Sequence, residues 1–434
     1  MFRIMVRAIA LVVCLTLVAS SAQAAGLYLY ENGSPDLGLA AAGRAALAHE
    51  ASTVVGNPAG MTRLDRSQLT GSLFIMLPSM QFDRGAGTTF SGGNGFNAGT
   101  SFPSNGSASL PLPDGSLFYV YSLSPDVKLG VGAFSGAGGA MNYGKEWAGR
   151  YFIEKATILT TTLNPGIAYR VNDWLSLGAG FSVNYFLLSE TVGVNNLAER
   201  LPDGRLKFKA DDWAFGGNAG VLIEPTARLR LGVTYRSQLD TSYSDRIRFT
   251  NVGPLLQRAL TRGGVMGGET TLDQTNPQAV MASWYYALTD NSAVMGNFGW
   301  QNWEQYSDIG ISVDSETTTR NIQANQHFHD TWHQAIGAQT RFARQWVLSV
   351  GVAHDNAPVS KFHRTPTAPF DETFRFGTGL QYDVNDQMTV GAAYEFLDLG
   401  SAEIKNLSRR TGTLNGDYSS NYVHFVALNV IWKF

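Results

Sequence analysis

Cysteine is all but missing from this chain. Cys14 is the only one in 434 residues, and it lies in an N-terminal stretch with the marks of a secretory leader. Past that leader there is no disulfide framework and no thiol chemistry. Long apolar runs are missing too: nowhere beyond the leader do ~18 apolar residues follow one another, which excludes a membrane-spanning helix. Charge is sparse at 15 % of residues, against ~25 % in soluble proteins. The net charge of −3 lacks the basic footprint of a nucleic-acid partner. Metal and cofactor motifs are equally thin. His327, His329 and His333 form the one histidine cluster, but they straddle a loop and a strand start with no cysteine nearby, so no metal is expected. The run Gly93-Asn94-Gly95-Phe96-Asn97-Ala98 only loosely fits a dinucleotide fingerprint and has no helix after it.

What is present is alternation. Leu175, Leu177, Ala179, Phe181, Val183 and Tyr185 are apolar, and the residues between them are small or polar. Successive strand side chains point to opposite faces, so such a segment has one greasy face and one wet face. The pattern returns at Phe374–Tyr382 and Met388–Phe396, and at many places between. A polar face cancels a lipid face in any sliding average, which explains a mean hydropathy of −0.08 in a membrane protein. Tight turns at Ser124-Pro125-Asp126, Asn172-Asp173, Pro225-Thr226-Ala227, Thr289-Asp290-Asn291, Ala343-Arg344-Gln345 and Asn385-Asp386 carry the residues that turns need. Longer polar connections lie near 83–113, 138–157, 191–207, 243–276, 306–329, 358–370 and 400–419. Six short turns and seven long connections predict 14 strands, an even number as bacterial barrels require. The fold class expected is all-β: a 14-stranded antiparallel transmembrane β-barrel in a bacterial-type outer membrane, with both ends on the periplasmic side.

The chain divides into three parts. Residues 1–24 read as a signal peptide: Arg3 and Arg7, an apolar core from Ile9 to Val18, and a small-residue cleavage site at Ala22-Gln23-Ala24. Leu11-Val12-Val13-Cys14 is not a lipoprotein box, because Val13 is too large before the cysteine. Residues 25–66, rich in Ala and Gly without alternation, read as a plug of short helices and turns, and 67–434 as the barrel. Trp174 and Trp346 directly after short turns with Trp432 near the final residue, and Trp213, Trp300, Trp303 and Trp332 near the opposite strand ends, suggest two interfacial belts. Inward alternation of Arg230, Arg236, Arg375 and Glu395 suggests charges paired with the plug or with each other.

Several segments resemble the FadL family of long-chain fatty-acid transporters, which includes the TodX-type aromatic-hydrocarbon transporters. They are Ala25-Gly26-Leu27-Tyr28-Leu29-Tyr30-Glu31, Gly43-Arg44-Ala45-Ala46, Ala51-Ser52-Thr53-Val54 and, most recognisably, Asn57-Pro58-Ala59-Gly60-Met61. Leu163–Arg170, the pair in Gly299-Trp300-Gln301-Asn302-Trp303, and Gly351–Val359 continue the likeness. The resemblance implies a hatch in the lumen, with Asn57, Pro58 and Ala59 as its motif, and a ligand pocket near the hatch N-terminus at Ala25 and Leu27. It also implies a kinked third strand that opens a side exit. Here that strand runs into Gly136, Gly138 and Gly139. Glycines there make either a bend that opens the wall or the start of an ordinary loop.

Pro254 opens a short helix with Leu255, Leu256, Ala259 and Leu260 at helical spacing. They form either an outer hydrophobic groove or a cap over the mouth. Arg150, Lys155, Arg258 and Arg262 are candidate carboxylate anchors by loop position. The function implied is uptake of hydrophobic molecules, foremost long-chain fatty acids: capture at the outer loops, binding in an internal pocket, lateral release. Uptake of aromatic hydrocarbons is the alternative within the family. A lipase-type barrel or a general porin are alternatives outside it, although no G-x-S-x-G occurs. The expected partners are the hydrophobic ligand, outer-membrane lipids and the barrel assembly machinery, with the protein a monomer and without cofactor.

Overall fold

The computed structural model describes residues 30, 32, 34–90, 105–196, 201–315, 318–409 and 411–434. The leader, Ala25, Leu27 and the Gly93–Ala98 run lie outside the described residues.

Fourteen strands form the wall. They are β1 (Gln68–Arg84), β2 (Leu112–Ser122), β3 (Val127–Phe134, resumed at Gly138–Asn142), β4 (Lys155–Asn172), β5 (Leu175–Val194), β6 (Gly204–Thr226) and β7 (Leu229–Arg236). The second half is β8 (Ala279–Ala287), β9 (Ser292–Gln301), β10 (Thr331–Ala343), β11 (Trp346–Asp355), β12 (Thr373–Asp383), β13 (Met388–Asp398) and β14 (Gly412–Lys433). Each pairs antiparallel with its neighbours, and β1 closes on β14 from Gln68↔Lys433 to Arg84↔Gly416. Closure removes the free edges that lipid would not tolerate, except along the upper part of β3 described below. The alternation sorts as a membrane demands: Leu428 is 63 % exposed while Ala427 beside it is 1 %. Phe181, Phe215, Val426 and Val430 are likewise exposed, and apolar exposure on this scale is a lipid-facing surface.

Six of the seven tryptophans proposed for the belts keep an exposed or half-exposed ring. Trp303 does not. It is buried against Tyr306 and Phe328, and its indole N–H donates to Gln301 Oε1 at 2.6 Å. The chain turns inward after β9, where the Asn302 N–H donates to the Gln278 carbonyl, so Trp303 faces the lumen.

The long connections hold more structure than their polarity suggests. Leu239–Arg246, Glu269–Asn276, Asp308–Ser315 and Thr318–Asn325 form a second, four-stranded sheet outside the wall. Tyr243, Leu272, Ile309, Ile311 and Val313 face inward from it and pack with Leu206, Phe208 and Leu260. The other face is Thr, Ser, Asp and Asn, so one apolar face per strand sits in a sequence that otherwise reads as loop.

Residues 34–64 lie inside the barrel. They form α1 (Ser34–Gly38), α2 (Thr53–Gly56) and a 3-10 turn at Pro58–Arg63. Leu37, Leu39, Ala45, Val54 and Met61 are almost wholly buried. Wall glycines make the clearance. A Cβ on Gly351 would collide with the Leu39 carbonyl, on Gly377 with that of Leu37, on Gly232 with that of Ala45, and on Gly220 with the Asn57 side chain.

Asn57 ties this plug together and to the wall. Its Nδ2 donates to Ala45 O at 2.7 Å and to Val221 O on β6 at 3.0 Å, and its Oδ1 accepts from the Ala59 N–H at 3.1 Å. Asn57 is fully buried. Asn57→Ala removes three bonds, taking a partner from the Ala45 and Val221 carbonyls and from the Ala59 N–H, so it is expected to destabilise by about 2–4 kcal/mol. Urea unfolding in detergent micelles, followed by tryptophan fluorescence, measures this.

The inward charges are paired. Arg375 donates to Asp355 and lies 3.8 Å from Glu395. His333 Nδ1 is 2.9 Å from the same Asp355. Tyr30 stacks on His333 at 4.2 Å, and its hydroxyl receives a hydrogen bond from Gln301. Arg230 donates to Leu47 O and stacks over Tyr285 at 3.6 Å. Burial, aided by the charges of Arg230 and Lys433, pushes His49 of the plug down to about 4, so it is neutral at physiological pH.

Candidate transport site at the broken third strand

The third strand is interrupted at Ser135-Gly136-Ala137. Below the break, 127–134 pairs with both neighbours: Ala133 with Leu117 on β2, and Phe134 with Thr162 on β4. Above it, Gly138–Asn142 pairs with β4 alone, from Gly138↔Leu159 to Asn142↔Lys155. Among the described residues no ladder joins 138–142 to the 112–116 part of β2. Glycine supplies the bend: no side chain holds 136 or 138 to a neighbouring strand, and a Cβ at Gly138 would meet only the Ile158 carbonyl, at 3.4 Å. The wall is therefore unzipped on one side over one half-strand.

Two cavities flank the break. One, on the lumen side, is lined by Phe134, Gly136, Ala137, Phe186, Trp303 and Arg236, with an amide-rich wall of Asn164, Asn184 and Asn218. The other is almost wholly apolar. Gly138, Gly139, Met76, Met80, Leu397 and Phe425 line it. A third cavity lies deeper, at Tyr30, Arg44 and Val55 of the plug, and shares Asn218 and Arg236 with the first. Arg236 and Asn218 are cross-strand partners on β7 and β6. A mostly apolar path with one guanidinium at its junction suits an amphiphile.

The three glycines singled out from the sequence thus sit at or beside the two flanking cavities. The four candidate anchors do not line any of the three. Arg150 is buried in the 143–154 connection, with Nε donating to Asp203 at 2.8 Å and Nη2 to the Tyr151 hydroxyl at 3.0 Å. Lys155, Arg258 and Arg262 are exposed. The helix predicted at Pro254 is α3 (Pro254–Arg262). Ala259 is buried, Leu260 is buried in the packing of the outer sheet, Leu256 is partly buried against it, and Leu255 is 56 % exposed. The histidine cluster disperses: His333 faces Asp355, His327 stacks on His363 at 4.0 Å, and the His329 N–H donates to the Pro358 carbonyl. Sequence reasoning had placed Arg236 among lumen charges without seeing that it borders two cavities. The only signal was its inward alternation on β7. The asparagines of β4, β5 and β6 gave a similarly faint sign, amides on the inward face.

A closed barrel, filled by its own N-terminal segment and opened at one strand beside an apolar cavity, defines an outer-membrane transporter of hydrophobic compounds rather than an open pore. Residues 15–434 match the family of outer membrane transport proteins described as OMPP1/FadL/TodX, and the chain belongs to that family. A long-chain fatty acid transport protein of Escherichia coli O6:H1 is 27 % identical over 415 residues, covering 89 % of this chain and 90 % of its own. Outer membrane protein P1 of Haemophilus influenzae is 26 % identical and covers 98 % of each chain. Among solved structures, a Pseudomonas aeruginosa FadL homologue superposes with a TM-score of 0.84 at 19 % identity, over 94 % of this chain and 99 % of that one. The Pseudomonas putida toluene transporter TodX gives 0.68 at 14 % identity, over 94 % and 99 %. These likenesses in structure show the shared fold. A family of transport proteins sets aside the lipase alternative.

Proposed function

We propose that this barrel takes up long-chain fatty acids, after export by cleavage of a signal peptide at residues 1–24 and with residues 25–66 acting as its hatch. The exposed Leu255 face of α3 makes first contact with the ligand. The ligand then enters the cavities inside the wall, where Arg236 receives its carboxylate by a charge-assisted hydrogen bond. It leaves sideways past Gly136, Gly138 and Gly139 into the bilayer. The observation that carries this reading is the half-strand of wall left unpaired between β2 and β3, with an apolar cavity against it. An alkyl chain gains nothing from a water-filled pore, but it keeps apolar contact throughout such a route. The long-chain fatty acid transport proteins among the relatives support the ligand class, and the aromatic side chains at the break leave toluene-like ligands as the competing class.

The test compares ligand classes. Arg236→Gln is expected to cut oleate uptake by roughly tenfold, the worth of a charged hydrogen bond, while leaving toluene uptake unchanged. Equal oleate uptake by both proteins would refute the anchor. In planar bilayers the unmodified protein is expected to show no large steady conductance, and a porin-like conductance would overturn the plugged-transporter reading.

A further inference from the structure

Methionine is concentrated at the apolar cavity beside the break. The chain has ten, and two of them, Met1 and Met5, fall within residues 1–24. Of the rest, Met76, Met80 and Met141 all line this one cavity. Met76 and Met80 stand four residues apart on β1, and Met76 lies opposite Phe425 of β14 on one side and Leu112 of β2 on the other. Met141 comes from the upper part of β3, opposite Ala156 of β4. The thioethers therefore approach the unpaired stretch from both of its flanks. The cavity on the lumen side has no methionine in its lining.

Access separates these three from two others. Met76, Met80 and Met141 keep 8, 7 and 6 % exposure beside a cavity, whereas Met61 of the plug and Met295 of β9 have none. A thioether sulfur is soft and polarizable, and oxidants convert it to a polar, chiral sulfoxide. With hypochlorous acid, a small neutral oxidant, the sulfur lone pair attacks chlorine and hydroxide leaves. Water then adds to sulfur and chloride leaves. The net change is thioether plus hypochlorous acid to sulfoxide, chloride and a proton, with two electrons passing from sulfur to chlorine. No side chain in the lining carries a hydrogen-bond donor. Each new sulfoxide oxygen therefore calls for water or for a bare backbone N–H of 138–142, and either puts a polar group on the path of an alkyl chain.

We propose that Met76, Met80 and Met141 form an oxidation site that closes the barrel to apolar ligands. Their sulfoxides make the cavity at the break polar and stop passage there, while the methionine-free cavity on the lumen side is left as it was. This rests on the reading that ligands leave past Gly138 and Gly139.

The test treats the purified full chain in detergent with limiting hypochlorous acid and maps the product by peptide mass spectrometry. Met76, Met80 and Met141 should become sulfoxides ahead of Met61 and Met295; oxidation without that order overturns the site. Saturating oleate should slow oxidation of the three several-fold and leave Met388, at the turn before β13, unaffected. In cells, uptake of labelled oleate is compared with each protein's own untreated sample. Oxidant should cut it at least about tenfold for the unmodified protein, the cost of a polar group on an apolar path. For the Met76→Leu/Met80→Leu/Met141→Leu variant, which has no thioether at the cavity, the loss should be less than about twofold. Undiminished uptake with the three sulfoxides present, or equal loss in both proteins, overturns the closure. Protection by oleate separates the two readings. Protected methionines with undiminished uptake sink only the oxidation site, whereas no protection in a chain that still takes up oleate means that the ligand bypasses the cavity, and both readings fall. The mapping and protection arms need no variant, so they decide if the triple variant fails to assemble.

Discussion

Gly138→Trp is expected to stop uptake of a radiolabelled long-chain fatty acid while leaving ligand binding to the purified protein within about twofold. The substitution is chosen for its local freedom. A Cβ at Gly138 meets nothing nearer than the Ile158 carbonyl at 3.4 Å, and at Gly136 nothing nearer than the Phe134 ring and Thr162 hydroxyl at 3.6 Å. A Cβ can therefore be added at either position without clash, and the indole is placed there to occupy the space beside the unpaired half-strand. Gly136→Trp provides an independent version of the same block. Folding is checked by the heat-modifiable electrophoretic mobility of intact barrels. A drop in uptake of at least about tenfold with binding retained is the signature of a blocked exit, a step that lies after binding on the route. Normal uptake by both folded variants would sink lateral release and return the exit to the periplasmic end.

The second large effect concerns the plug. Gly232→Leu and Gly351→Leu put side chains where the Ala45 and Leu39 carbonyls lie. Backbone cannot rotate away as a flexible side chain does, so either the plug or the wall must shift. The plug is the softer of the two, because β7 and β11 are held by ladders on both sides whereas the plug is held by scattered bonds such as those of Asn57. The expected result is a barrel that still assembles but conducts ions steadily and admits large antibiotics. Gly71→Leu is the control: its Cβ faces only the outward Leu117, at 3.6 Å, and it should remain tight. If the Gly232 and Gly351 variants stay sealed, the clearance argument is wrong. If neither assembles, the plug is required for closure of the wall and not merely seated in it.

The number of strands and their inward and outward faces could be read from residue order because a strand has period two and lipid enforces it. Leu428 and Ala427 could not exchange faces without placing Asn429 in lipid. The outer sheet escaped notice for the opposite reason. Water bathes the far face of Leu239–Arg246 and Glu269–Asn276, so Thr, Ser and Asp dominate them and the pattern resembles loop. Loop position alone points to Lys155, Arg258 and Arg262, but it does not say which way a long side chain turns. Arg236 was the better placed, and its nearness to Asn218 follows from the register of β7 on β6, which no local pattern reports.

Residue order alone therefore determined an all-β, lipid-facing cylinder and the family to which it belongs. Those properties depend on neighbours a few positions apart along one chain. Tertiary structure decided which glycines make room for the plug, which amides are left without partners, and that Arg236 borders two cavities. Each of these depends on atoms brought together from strands and plug segments far apart in sequence, and their meeting is set by barrel register and closure.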